Sequence, residues 1–125
     1  MAGPVIRIKR VYEAPSPDDG TRVLVERLWP RGMSRATLVL DRWMKEVAPS
    51  PALRAWYGHE PAKWAAFRRR YIAELNRSGA WRPLLELAGR RPLTLLYSAR
   101  DPERNSALVL RDYLRQRLRN RRARA

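Results

Sequence analysis

Arg27 and Arg31 flank Trp29 at the end of one apolar run, and Ser98 and Arg100 follow another. Guanidinium groups grip planar or phosphate anions through paired donors. An indole beside them offers a face on which a ring or base can stack. With Lys45 and Asn105 added, the set Arg27, Trp29, Arg31, Lys45, Ser98, Arg100 and Asn105 has the chemistry of an anion- or nucleotide-binding site. The competing reading is structural: Arg27 pairs with a buried carboxylate such as Asp41, and Asp101 merely caps a helix. No residue pattern names a reaction, so catalytic residues and cofactor stay unassigned and an enzyme of unknown reaction is one reading of the site.

Other chemistries are excluded. The chain has no cysteine and one histidine, His59, which removes thiolate nucleophiles, cysteine-ligated metals and multi-histidine sites. No metal site is expected; any metal would have to be hard and carboxylate-bound. His59, beside Glu60 and before Pro61, reads as a polar cap or spacer ahead of a general acid or base. There is no P-loop, and the glycines miss the dinucleotide-binding spacing.

The net charge is +15. Arg111 to Ala125 holds seven arginines against one aspartate, and the rest of the chain is basic as well. Such a surface suits a nucleic acid or another acidic partner, or is simply solvated. A nucleic-acid-binding module acting through this surface and the Arg-rich end is therefore the alternative to a small-anion site. No apolar run is long enough to cross a bilayer and no secretory pattern opens the chain, so a cytoplasmic protein without membrane partners is expected.

The elements that must position the candidate site follow from periodicity. Val23 to Leu28 reads as a central strand, apolar at consecutive positions and so covered on both faces. Pro30 holds Trp29 extended and Gly32 permits a turn. Val5 to Tyr12 is a first strand, separated by the loop Glu13 to Gly20, and the residues leave the mutual direction of these two strands open. Leu40 to Val47 fits a helical stripe and a strand face alike, and is read as a strand. Ser50 and Pro51 start a short helix ending at Gly58. Pro61 opens a helix with the stripe Trp64, Phe67, Tyr71 and Leu75. Trp81, Leu84, Leu85 and Ala88 stripe the next, which stops at Gly89. Pro92 to Tyr97 is a buried strand, and Asp101 and Pro102 supply N-cap and first residue of a last helix carrying Ala107, Leu110, Leu114 and Leu118. Residues 1–118 are expected to form one α/β domain with about four mainly parallel strands and helices on both faces. Residues 119–125 are expected to be a basic, frayed tail. If the strands around Arg27 and Arg100 are parallel, both sets of residues share the carboxyl edge where open α/β sheets bind ligands.

The run Asp19-Gly20-Thr21-Arg22-Val23-Leu24-Val25-Glu26-Arg27-Leu28-Trp29-Pro30-Arg31-Gly32, with Ala48-Pro49-Ser50, Thr94-Leu95-Leu96-Tyr97-Ser98-Ala99-Arg100 and Asn105 before Ala107-Leu108-Val109-Leu110, resembles the YeaO-like proteins of domain-of-unknown-function family 488. The likeness runs from about Ile6 to Leu118. It implies a Rossmann-like α/β domain, Leu40 to Val47 as a strand, and parallel first and second strands. It assigns no biochemical role. The family usually has aspartate in place of Glu26 and often a histidine close to Asn105, where this chain has Arg104 and Ser106. If that histidine does chemistry in relatives, this chain lacks it.

Arg27 supplies the sharpest expectation. Its guanidinium is either paired with a protein carboxylate, so that Arg27→Ala is strongly destabilising, or open to a ligand, so that the substitution spares stability and abolishes anion binding. The second is the expectation.

Overall fold

The computed structural model describes residues 3–124; residues 1, 2 and 125 of the expected domain and tail lie outside it, as do the side chains of Arg122 and Arg124. Four strands, β1 (Ile6–Arg10), β2 (Thr21–Leu24), β3 (Arg42–Trp43) and β4 (Leu93–Tyr97), form one sheet in the order β1-β4-β2-β3. Every neighbouring pair is parallel. The first two strands thus run in the same direction without touching, because β4 lies between them. β2, an interior strand, is buried along its length.

The register sorts side chains by face. Ile6 and Leu93 are paired, Ile8 and Val23 flank Leu95, and Arg10 lies opposite Tyr97. These positions, apart from Arg10, join the main core with Leu53 and Tyr57 of α1 (Pro51–Tyr57), Phe67, Tyr71 and Leu75 of α2 (Trp64–Ser78), Leu84 of α3 (Arg82–Arg90) and Leu110 of α4 (Ser106–Arg124). The opposite face presents Leu24 and Leu96, which pack with Val11 and with Leu38 from the β2–β3 connection, flanked by Trp29, Met33 and Trp43. The α/β class and the four-stranded parallel sheet are as expected, but the helices are not shared between the faces. All four α-helices contribute to one core, and the other face is covered by a long connection and by the 3-10 turn Pro17–Asp19.

Several boundaries differ from the periodicity reading, each for a local reason. β2 ends at Leu24 rather than Leu28: Val25 makes one more bond, N–H to the Leu96 carbonyl at 3.3 Å, and then the side chain of Glu26 takes over the contact with the β4 side. β3 is only Arg42–Trp43, and Lys45–Val47 is a 3-10 turn in place of further strand. The fully buried Tyr71 donates its hydroxyl to the Val47 carbonyl at 2.6 Å and anchors that turn. The last helix starts at Ser106, not Pro102. Asp101 instead closes a turn, accepting the N–H groups of Glu103 (2.9 Å) and Arg104 (3.2 Å), while Asn105 caps α4 through the Leu108 N–H at 2.8 Å. Beyond Arg119 the chain is helical to Arg124. Nothing apolar announces those turns, which carry exposed polar contacts such as Arg119 to Gln116 at 2.9 Å and Arg121 to Glu86 at 3.3 Å. No helix among the described residues is long and apolar enough to cross a membrane.

Candidate functional site

β1, β4 and β2 end side by side and then separate. Val11 N–H still reaches the Tyr97 carbonyl at 2.8 Å, but past that point the three chains diverge and leave a cleft at the carboxyl edge. Glu26 and Arg10 fix its floor. Ser98 donates its N–H to Glu26 Oε1 and its hydroxyl to Oε2, both at 2.7 Å. Arg10 donates Nε–H to the Ala99 carbonyl at 2.8 Å and Nη2–H to that of Ser98 at 3.2 Å. The turn after β4 is thereby held from both sides by charge-assisted bonds.

Two cavities of about 500 Å³ each open here. The first is bordered by Arg10, Tyr12, Trp29 and Arg31. The second has a largely apolar wall of Val25, Pro49, Tyr57 and Phe67, with Asp101, Asn105 and Ser106 at the start of α4. Arg54, Arg100, Glu26 and Ser98 line both. The side chains of Arg31, Arg54 and Arg100 are on exposed residues and have no carboxylate partner among the described residues. The positive end of the α4 dipole adds to the same potential. Burial, reinforced by the charge of Asp101 and opposed by Arg104, pushes the Tyr57 phenol up, so it stays a protonated donor. The Glu103 N–H, working against partial desolvation and with Arg104, holds the Asp101 carboxyl below the usual carboxylate range.

Of the residues expected at this edge, Arg31, Ser98 and Arg100 meet at the first cavity together with Trp29. The indole is already engaged: its N–H donates to the Met33 carbonyl at 2.5 Å, its edge meets Trp43 at 5.3 Å between ring centres, and the Arg35 guanidinium lies 4.3 Å from its centroid. Asn105 borders the second cavity but is buried, and its amide donates to the Asp101 carbonyl at 3.0 Å while its oxygen caps α4. Lys45 lines neither cavity. The turn after β3 carries it away, and its ammonium sits 4.1 Å from the centre of the Trp43 ring.

Arg27 matches neither alternative framed from the sequence. It borders the second cavity, yet its Nε–H donates to the Pro49 carbonyl at 2.9 Å and its Nη2–H to that of Ala48 at 3.4 Å. Asp41 is spent elsewhere, accepting the Arg22 N–H at 2.8 Å. Arg27 therefore ties the end of β2 to the segment entering α1. Arg27→Ala is expected to lower stability by about 2 kcal/mol, the worth of a hydrogen-bonded charge, in urea unfolding, and to leave anion-induced stabilisation intact. Unchanged stability with loss of that stabilisation would return Arg27 to the ligand side.

Arg54, Arg10 and the Glu26–Ser98 pairing were not picked out as site features. Arg10 carries the signal that singled out Arg27, a basic residue at a strand end. Arg54 has none, since only the packing of α1 beside the sheet edge brings it there. His59 borders the second cavity on an exposed residue with φ +59°, in the link that follows α1.

Residues 5–125 match the family described as the inactive DUF488-N3 subclade. The chain is 47% identical over 111 residues to the uncharacterized protein YeaO of Escherichia coli (strain K12), covering 88% of this chain and 96% of that protein. It is 43% identical over 109 residues to the uncharacterized protein Mb3100c of Mycobacterium bovis, with 87% and 92% covered. The uncharacterized protein Rv3073c of Mycobacterium tuberculosis (strain ATCC 25618 / H37Rv) matches with the same figures. No solved structure matches significantly.

Proposed function

The chain belongs to the YeaO-like family of domain-of-unknown-function 488 proteins, and from that premise we propose that it is a cytoplasmic binding protein that holds a small anion at the carboxyl edge of its sheet without turning it over. The observation that carries this reading is the convergence of Arg54 and Arg100 on both cavities with no carboxylate partner among the described residues. Anions are recognised by such forks where a helix N-terminus adds to the field. Glu26, the carboxylate that lines both cavities, is occupied by two hydrogen bonds from Ser98, which disfavours proton transfer through it. The description of the matched subclade as inactive agrees with binding in place of catalysis.

Inorganic phosphate or pyrophosphate in roughly hundredfold excess over Kd would contribute about 2.7 kcal/mol and raise the melting temperature by about 5–10 °C. Arg54→Ala with Arg100→Ala should abolish the shift while leaving the melting temperature without ligand nearly unchanged, because both residues are exposed. An undiminished shift in the double variant would overturn the assignment. The nucleic-acid reading draws on one observation: α4 continues as a helix and sets Arg117 and Arg119 beside Arg68 of α2 around a separate cavity. Truncation after Leu118 distinguishes the two, since it would spare the phosphate shift but weaken nucleic-acid binding and reduce its salt dependence.

A further inference from the structure

We infer that the ligand is a phosphate joined to a planar heteroaromatic ring, the chemistry of a nucleoside monophosphate, with the ring in the apolar cavity and the phosphate between Arg54 and Arg100. This rests on the anion-binding reading and adds the identity of the group the anion carries.

The two cavities differ in kind. The first is rimmed by Arg10, Arg31, Arg54 and Arg100, which suits an oxyanion, and its two aromatic residues are already engaged, Tyr12 under the Arg10 guanidinium at 4.8 Å and Trp29 under that of Arg35 at 4.3 Å. The second is walled by Tyr57 and Phe67, whose rings are stacked with centroids 4.5 Å apart, with Val25 and Pro49 beside them. Tyr57 and Phe67 are at most 7% exposed and present only their edges, but Leu28, 59% exposed, lines both cavities, so a ring entering beside them covers apolar surface that a bare phosphate leaves in water. The wall also carries polar groups at its margin. The Asp101 carboxylate accepts, and the raised phenol of Tyr57 remains a donor, so ring nitrogens and exocyclic groups can be satisfied without entering water. A purely aliphatic anion would give the Tyr57 hydroxyl no partner on binding, at a cost. Arg54 and Arg100 line both cavities, so one ligand can place its phosphate on them and its ring against the stacked pair.

Isothermal titration of the full chain with adenosine 5′-monophosphate, uridine 5′-monophosphate, ribose 5-phosphate and inorganic phosphate tests this. At least one nucleotide should bind about tenfold or more tightly than ribose 5-phosphate, the increment expected of one ring–ring contact with its buried area. Ala99→Leu, which adds bulk at the edge of the second cavity, should remove that difference and leave phosphate binding in place. If ribose 5-phosphate and phosphate bind as tightly as both nucleotides, the ring assignment falls and the anion site stands. If none of the four binds, both fall. A nucleotide preference untouched by Arg54→Ala and Arg100→Ala together would place the nucleotide elsewhere and likewise overturn the inference.

Discussion

Asp19→Ala is expected to destabilise the protein by about 3–5 kcal/mol at neutral pH, the cost of removing one partner from a buried ion pair. The carboxylate is 5% exposed and holds three groups at once. Lys9 donates at 3.0 Å, Arg22 at 2.5 Å, and the Ser16 N–H at 3.0 Å. Arg22, itself 4% exposed, also donates to the Val39 carbonyl at 2.6 Å. Losing Asp19 would therefore strand a buried guanidinium and loosen the connection that covers the second face of the sheet. Burial alone would push the carboxyl up; the Ser16 N–H, with Lys9 and Arg22, outweighs it and holds the group below the usual carboxylate range. A carboxyl depressed in the folded state contributes stability above its unfolded pKa of about 4, and that stability is lost as pH falls through the lower folded value. The gap between wild type and Asp19→Asn in urea unfolding should thus be widest at neutral pH and narrow below about pH 4. A gap independent of pH would contradict the ion-pair account.

Gly20→Ala should cost about 4 kcal/mol or more, the exceptional end of single substitutions, and so consume much of a typical stability of about 5–15 kcal/mol. Gly20 has φ +63° and ψ −131°, a combination open to glycine and strained for other residues. A Cβ there would stand 2.1 Å from the Pro92 carbonyl oxygen and 2.8 Å from its carbon. That carbonyl cannot yield cheaply: it accepts the Thr21 N–H at 2.8 Å, and the next residue, Leu93, donates to the Val5 carbonyl at 2.9 Å. Relieving the overlap means unpairing β4 from β1 or β2. Soluble yield and the urea midpoint measure the effect, and a loss within about 1 kcal/mol, the centre of ordinary substitutions, would show that the sheet gives way more easily than this geometry allows.

The parts legible in the sequence are those governed by local pattern. Consecutive apolar residues marked β2 and β4 as covered on both faces and the end of β4 at Tyr97, whereas β2 ends at Leu24, four residues before the Leu28 that Pro30 and Gly32 suggested. The two strands still placed Arg31, Ser98 and Arg100 at one edge. What stayed hidden depends on partners distant in the chain. Arg27 was legible as a strand-end cation, but only the fold shows that the carbonyls of Ala48 and Pro49 take its donors. Before the last helix the sequence reading places the cap at Asp101 with Pro102 and passes over Asn105. The first forms a turn, and the second is the cap. Lys45 shared a plausible strand face with Trp43, and the early end of β3 turned it onto that ring instead. The helix through Arg124 was hidden because its last turns carry no apolar stripe.

A nitrogen-15 NMR titration of the full chain with inorganic phosphate tests the anion site most directly. Shifts are expected to concentrate at the amides of Glu26 to Leu28, Ser98 to Asp101 and Glu103 to Ser106 and at the side-chain Nε groups of Arg54 and Arg100, saturating together. Saturable shifts centred instead on Arg68, Arg117 and Arg119, with the strand-end residues silent, would contradict it.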